Sequence, residues 1–191
     1  MKLENYPVLT AAELDEAIHY AIEQVRSCLG DFTTWFKYPN SCKNFYPQMT
    51  NTEWTNGFWT GEVWLAYELT KDEAFKNTGL AHVDSYYDRI VNNVVVDHHD
   101  LGFLYSPSCV AAYKLLGDEK AKQAAIKAAD KLITRFQEKG GFIQAWGPLG
   151  AKDNYRLIID CLLNLPLLYW TTEVTGILNT VTSLYVTSKQ L

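Results

Sequence analysis

Two aspartates, Asp100 and Asp160, each stand at the head of an apolar stretch in successive copies of one repeated pattern. Carboxylates held at matching places on neighbouring units are the equipment of general acid and base catalysis. The run Ile158-Ile159-Asp160-Cys161-Leu162-Leu163-Asn164-Leu165-Pro166 sets a carboxylate and an amide four apart among apolar residues. A charge in such surroundings is costly without a partner. A carboxyl group whose pKa is raised by burial suits proton donation at neutral pH. The run Asp97-His98-His99-Asp100-Leu101-Gly102-Phe103 crowds two imidazoles and two carboxylates into a turn before a helix. Exposed helix amides favour an ionised carboxylate there, and the plainer role for Asp100 is a helix cap. Histidine and aspartate also ligate metals. Neighbours in a turn seldom converge on one ion, however, and no distant His or Cys cluster offers to complete a shell, so neither a metal nor a cofactor is expected.

The elements that position these residues follow from a repeat. Ala66-Tyr67-Glu68-Leu69-Thr70-Lys71-Asp72-Glu73 recurs 46 positions later as Ala112-Tyr113-Lys114-Leu115-Leu116-Gly117-Asp118-Glu119. It returns more weakly as Leu168-Tyr169-Trp170-Thr171-Thr172-Glu173-Val174-Thr175-Gly176. Self-similarity at this period points to a repeated helical hairpin. Walking back from each copy reaches Trp54, Asp100 and Asp160 at the opposite helix end, so these three are expected on one rim.

Thr10-Ala11-Ala12-Glu13 reads as a capping box, and Leu14, Ile18, Ile22, Val25 and Leu29 follow it at helical spacing. The stretch from Gly30 to Thr55 is rich in Pro, Asn and Ser and should be irregular; a connection of that length is commonly functional. From Phe58 to Leu69, and again from Leu104 to Leu116, residues are apolar nearly all round, as inner helices covered on both sides require. Phe75, Val83, Tyr87, Ile90 and Val91 mark one face of an outer helix. Ala121, Ala125, Ala128, Leu132 and Phe136 mark another, which should end at Gly140-Gly141. No strand alternation competes. The expected fold is an all-α toroid with about six helices here.

Composition narrows the function classes. A net charge of −5 and a pI near 5.3 exclude the basic surface expected for nucleic acid. No segment approaches the apolar length of a membrane span, and the first residues lack the apolar core of a secretion signal. Four cysteines without metal spacing suit free, mostly buried thiols in a cytoplasmic setting. An aromatic share of 14% suits stacking on sugar rings, although most such rings belong to a core.

Trp54-Thr55-Asn56-Gly57-Phe58-Trp59-Thr60-Gly61, His98-His99-Asp100-Leu101-Gly102-Phe103, Gln144-Ala145-Trp146-Gly147 and the Asp160 run occur together in this order. In these motifs the chain resembles the unsaturated glucuronyl hydrolases of glycoside hydrolase family 88. The resemblance implies a cytoplasmic enzyme with an (α/α)6 barrel of six helical hairpins, acting on unsaturated disaccharides left by polysaccharide lyases. It implies that Asp160 is the general acid and base, that Asp100 holds substrate hydroxyls and stabilises positive charge, and that Trp54 and His99 contact the sugar. It also implies that residues 1–176 are the N-terminal half of such a barrel and that 177–191 are a divergent tail, consistent with an interrupted reading frame. The partners so implied are an unsaturated disaccharide substrate and either a second copy of the chain or a complementing C-terminal fragment. A truncated, non-catalytic fragment that binds sugar is the alternative.

Overall fold

The computed structural model describes residues 8–177, so the tail expected from 177 onward lies almost wholly outside the described residues. Six helices are present among them. Helix α1, Ala11–Phe32, opens on the expected box: Glu13 N donates to Thr10 Oγ1, while Thr10 N donates back to Glu13 Oε2. Helix α2 is Asn56–Thr70 and α3 is Glu73–Val91, the latter capped by Asp72 Oδ1, which accepts from Ala74 N at 2.8 Å. Helix α4 runs as Leu101–Tyr105, a π turn at Ser106–Val110, and Ala111–Leu116. Pro107 lies in that turn, where its missing N–H removes one α-helical bond. Helix α5 is Glu119–Ile133, capped by Asp118, and α6 is Cys161–Thr175.

Helices α2, α4 and α6 form the inner layer and α3 and α5 cover it, the two-layered arrangement expected of an α/α barrel. The inner helices approach very closely at their starts. A Cβ on Gly57 would lie 2.0 Å from the Phe103 carbonyl oxygen, and one on Gly102 would lie 2.2 Å from Asn164 Cα. Only hydrogen fits at either place, and the two glycines set α2 against α4 and α4 against α6. Buried Trp59, Trp64, Phe75, Tyr86, Tyr105, Leu104 and Leu132 fill the space behind, each apolar side chain contributing about 1.5–3 kcal/mol relative to exposure. The alanine stripe of α5 is wholly buried, allowing that helix to lie close on α3 and α4.

Several expectations need correction. The buried tyrosine of α3 is Tyr86, not Tyr87, and Val91 is exposed. Helix α5 stops at Ile133 rather than at Gly140-Gly141. Phe136 leaves the helix to pair with Ile143 in a hairpin of β3, Phe136–Gln137, and β4, Phe142–Ile143. Gly141, at φ +68°, closes its turn. The long connection after α1 carries a second small hairpin, pairing Phe36–Lys37 (β1) with Gln48–Met49 (β2). Two-residue strands are too short to show alternation in sequence. Cys109 and Cys161 are buried, their thiols pushed up to about 12 by burial, whereas Cys42 is exposed.

Candidate active site

Asp100 and Asp160 both occupy the position before an inner helix, yet neither side chain caps it. The helix-cap reading of Asp100 therefore does not hold: its carboxylate is turned to the histidines instead. His98 Nδ1 stands 3.2 Å from Asp100 Oδ2, and His99 Nε2 stands 3.2 Å from Asp100 Oδ1. Burial alone would raise the Asp100 pKa. The imidazoles of His98 and His99 set against it outweigh burial and hold the carboxyl well below the usual carboxylate range.

His99 is the centre of the cluster. Fully buried, it reaches Asp160 Oδ1 at 3.6 Å as well as Asp100. Neither of its ring nitrogens makes a well-aligned hydrogen bond, and Asp160 Oδ1 is likewise buried without one. Unsatisfied buried polar atoms concentrated in one place mark a site kept ready for a ligand or for proton transfer. Asp160 is not sealed in apolar surroundings as its sequence suggests: the side chain remains 38% exposed, with its Oδ1 buried. The ligating atoms of His99, Asp100 and Asp160 all lie within 4.8 Å of one another, a spacing at which one cation could be shared. The meeting of Asp160 with Asp100 is the one expected from the repeat, whereas the part His99 takes in joining them was not read from the sequence. His98 flanks the group, touching Asp100 through Nδ1 while its Nε2 donates to the Val95 carbonyl at 3.0 Å.

Asn164, four residues after Asp160, serves the framework. Its Oδ1 accepts from Phe103 N at 3.0 Å, tying α6 to the start of α4 beside Gly102. The three expected rim residues thus come together through neighbours. Trp54 packs on Phe103 at 5.8 Å between ring centroids and on Phe58 at 6.2 Å, leaving the indole half exposed. A second indole, Trp146, stands edge-on to His99 at 6.4 Å, with the Arg156 guanidinium over its face at 5.6 Å. Buried Gln144 fixes the loop of Trp146. Its Nε2 donates to the carbonyls of Trp146 and Pro148, each at 2.9 Å, and its Oε1 accepts from Gly150 N.

Two residues missed in sequence hold this rim from below. Arg89 and Arg135 are almost wholly buried and donate only to loop acceptors at the site's edge. The signal that could have found them is their separation, 46 positions, the period of the repeat.

Paired carboxylates bridged by a histidine and flanked by two exposed indoles thus stand at one end of the inner helices, in a chain built as part of an α/α barrel. The chain belongs to Glycosyl Hydrolase Family 88, whose family model matches residues 30–184. It is 57% identical over 170 residues to the unsaturated chondroitin disaccharide hydrolase of Streptococcus pneumoniae, covering 89% of this chain and 43% of that protein. Its structure matches the unsaturated glucuronyl hydrolase of Streptococcus agalactiae at a TM-score of 0.96 and 50% identity, over 98% of this chain and 47% of that one. The enzyme of Bacillus sp. GL1, described as responsible for the degradation of glycosaminoglycan, matches at 0.89 and 40% identity, over 92% and 47%. Structures of the S. agalactiae enzyme include an aspartate-to-asparagine variant at each of two positions. They are as far apart in that chain as Asp100 and Asp160 are in this one. One of these variants holds dGlcA-GalNAc6S. The chain spans less than half the length of the curated relatives it matches.

Proposed function

We propose that the chain carries the catalytic half of an unsaturated glucuronyl hydrolase acting on lyase-generated disaccharides of glycosaminoglycan type. The observation that carries this reading is the His99 bridge between Asp100 and Asp160. Asp160, exposed on one side, donates a proton to carbon 4 of the carbon 4 to carbon 5 double bond. The resulting positive charge on the ring is stabilised by Asp100, which stays ionised because His98 and His99 hold its pKa down. Asp160, now a carboxylate, takes a proton from water as that water adds at carbon 5. The hydrated product is a hemiketal, which opens and releases the second sugar. Because the chemistry is hydration of a vinyl ether, the carboxylate spacing of ordinary retaining and inverting glycosidases does not govern it. Trp54 and Trp146 offer faces on which sugar rings stack.

A cytoplasmic setting belongs to the same proposal, in which the lyase product is taken up before it is split. Among the described residues no helix is long and apolar enough to cross a membrane. The division into a half barrel at 1–176 and a tail at 177–191 is proposed with it.

A second reading is favoured by the outward faces of the inner helices. Leu65, Leu69, Leu163 and Tyr169 are all more than half exposed, an apolar surface that another part of a barrel or a second copy would cover. On that reading the chain alone binds sugar without turning it over. Incubation with an unsaturated chondroitin or hyaluronan disaccharide separates the two: loss of the ultraviolet absorbance of the conjugated uronate supports the enzyme, and persistence of that absorbance with measurable binding supports the fragment.

A further inference from the structure

Arg89 follows the buried face of α3 and Arg135 lies just past the end of α5, 46 positions apart. Their hydrogen bonds repeat atom by atom. Arg89 donates from Nε to Val94 O at 3.2 Å and from Nη2 to Val95 O at 2.8 Å, both in the loop after its own helix. Its Nη1 donates to Asn51 Oδ1 at 2.9 Å and Glu53 O at 3.1 Å, in the loop that enters α2. Arg135 donates from Nε to Gln144 O at 2.8 Å and from Nη2 to Gly147 O at 3.0 Å. Its Nη1 donates to Asp97 Oδ1 at 2.9 Å and Asp97 O at 3.0 Å, in the loop that enters α4. Asn51 and Asp97 are themselves 46 positions apart. Each guanidinium therefore fastens the loop ahead of one inner helix to the loop ahead of the next. The acceptors of Arg89 are all neutral, a costly arrangement for a buried cation unless the geometry it imposes matters.

One of those acceptors is unusual. Val95 has φ +46°, a left-handed conformation that a β-branched residue rarely adopts. Such strain persists only where the surroundings over-determine it. The Val95 carbonyl accepts from Arg89 Nη2 and also from His98 Nε2 at 3.0 Å. With Nε2 carrying the proton, neutral His98 has a lone pair on Nδ1, and Asp100 N donates to it at 3.2 Å. On protonation the same Nδ1 turns donor to Asp100 Oδ2, 3.2 Å away.

We propose that Arg89 is a positioning residue that, through the strained Val95 carbonyl, fixes neutral His98 as its Nε2–H tautomer and so keeps Nδ1 turned to Asp100, where it accepts from the Asp100 amide, while Arg135, its counterpart in the next repeat, fixes the Trp146 wall. The meaning of this for turnover rests on the reading of Asp100 given above; the tautomer does not. Histidine ring 15N NMR reads it on the whole chain without substrate, so an inactive chain would sink the functional reading and leave this one standing.

In the wild type, neutral His98 is expected as the Nε2–H form alone; a mixture, or the Nδ1–H form, overturns the proposal. Arg89→Met is expected to convert His98 to a mixture, whereas Arg135→Met, which frees Asp97 but leaves the Val95 carbonyl held by Arg89, is expected to keep His98 as the Nε2–H form and to shift the Trp146 fluorescence. An unchanged His98 in Arg89→Met, or equal disturbance of His98 by both variants, contradicts the assignment. Should Arg89→Met fail to fold, Arg89→Lys is read in its place. A single ammonium cannot span the four acceptors, so the mixture is expected there too, and an intact tautomer would overturn the role of the fork. If neither variant folds, the wild-type tautomer decides.

Discussion

His99 Nε2 lies 3.6 Å from Asp160 Oδ1, a buried oxygen that no well-aligned hydrogen bond satisfies. The same nitrogen lies 3.2 Å from Asp100 Oδ1. One imidazole thus links two carboxylates borne on different repeats, so the state of each depends on how α4 and α6 are set against each other. That setting is the business of Gly102 and Asn164, which contribute no chemistry themselves.

Gly102→Ala is the direct test of this coupling. Its methyl group would meet Asn164 Cα, which is backbone and cannot swing aside. A loss of about 1–3 kcal/mol in stability is expected, together with a fall in turnover larger than the stability loss explains. Thermal denaturation and kinetics on the same preparation check it; turnover unchanged in the folded fraction would show that helix spacing does not matter to the pair.

Trp54→Ala should leave the fold nearly intact, because the indole is half exposed and rests on Phe58 and Phe103 from outside. A stacking contact of about 0.5–1.5 kcal/mol is lost, corresponding to up to about tenfold weaker sugar binding. Fluorescence titration with an unsaturated disaccharide measures it.

Acid lability should come in two windows. His82 is buried, with Nε2 bonded to Phe32 O at 2.9 Å and Nδ1 facing Thr60 Oγ1 at 3.1 Å. Burial lowers its pKa from 6.5 to about 4. The folded state therefore takes up its proton later than the unfolded one. The stability that the neutral ring contributes is complete above 6.5 and drains away as pH falls to about 4. His82→Gln should flatten that slope in a denaturant series, at some cost in stability at neutral pH.

Asp100 acts in a lower window. Its folded pKa lies below the ordinary aspartate value, so its contribution is complete above that value, near about 3.9, and is lost as pH falls through the lower folded one. Asp100→Asn should therefore be less stable than the wild type at neutral pH and nearly equal to it in strong acid. Circular dichroism across an acid titration distinguishes this from a uniform loss.

How far the sequence discloses these features depends on the physics of each. The capping box of α1 and the alternation of inner and outer helices are local or periodic, and they are readable residue by residue. The end of α5 is not. Phe136 continues the helical spacing of its stripe, but Arg135 is drawn into the rim and carries the chain out of the helix, and nothing local announces that. Asp100 and Asp160 are visible through the repeat, whereas the bridging role of His99 requires the fold to bring Asp160 alongside it. Arg89 and Arg135 look like surface arginines, because a buried cation is recognised by its acceptors, and these are mostly backbone carbonyls of loops, together with the side chains of Asn51 and Asp97 38 positions away. The period of 46 was the available clue. It applies to the arginines and to Asn51 and Asp97 as well as to the helices.

The most direct measurement is Asp160→Asn against the wild type, with disaccharide affinity from tryptophan fluorescence and turnover from loss of the unsaturated uronate absorbance. The account predicts affinity within a few-fold and turnover lower by about 10²–10⁴-fold, the range for removing a general acid and base. Equal turnover in the two proteins would contradict it, and so would a loss of affinity matching the loss of turnover.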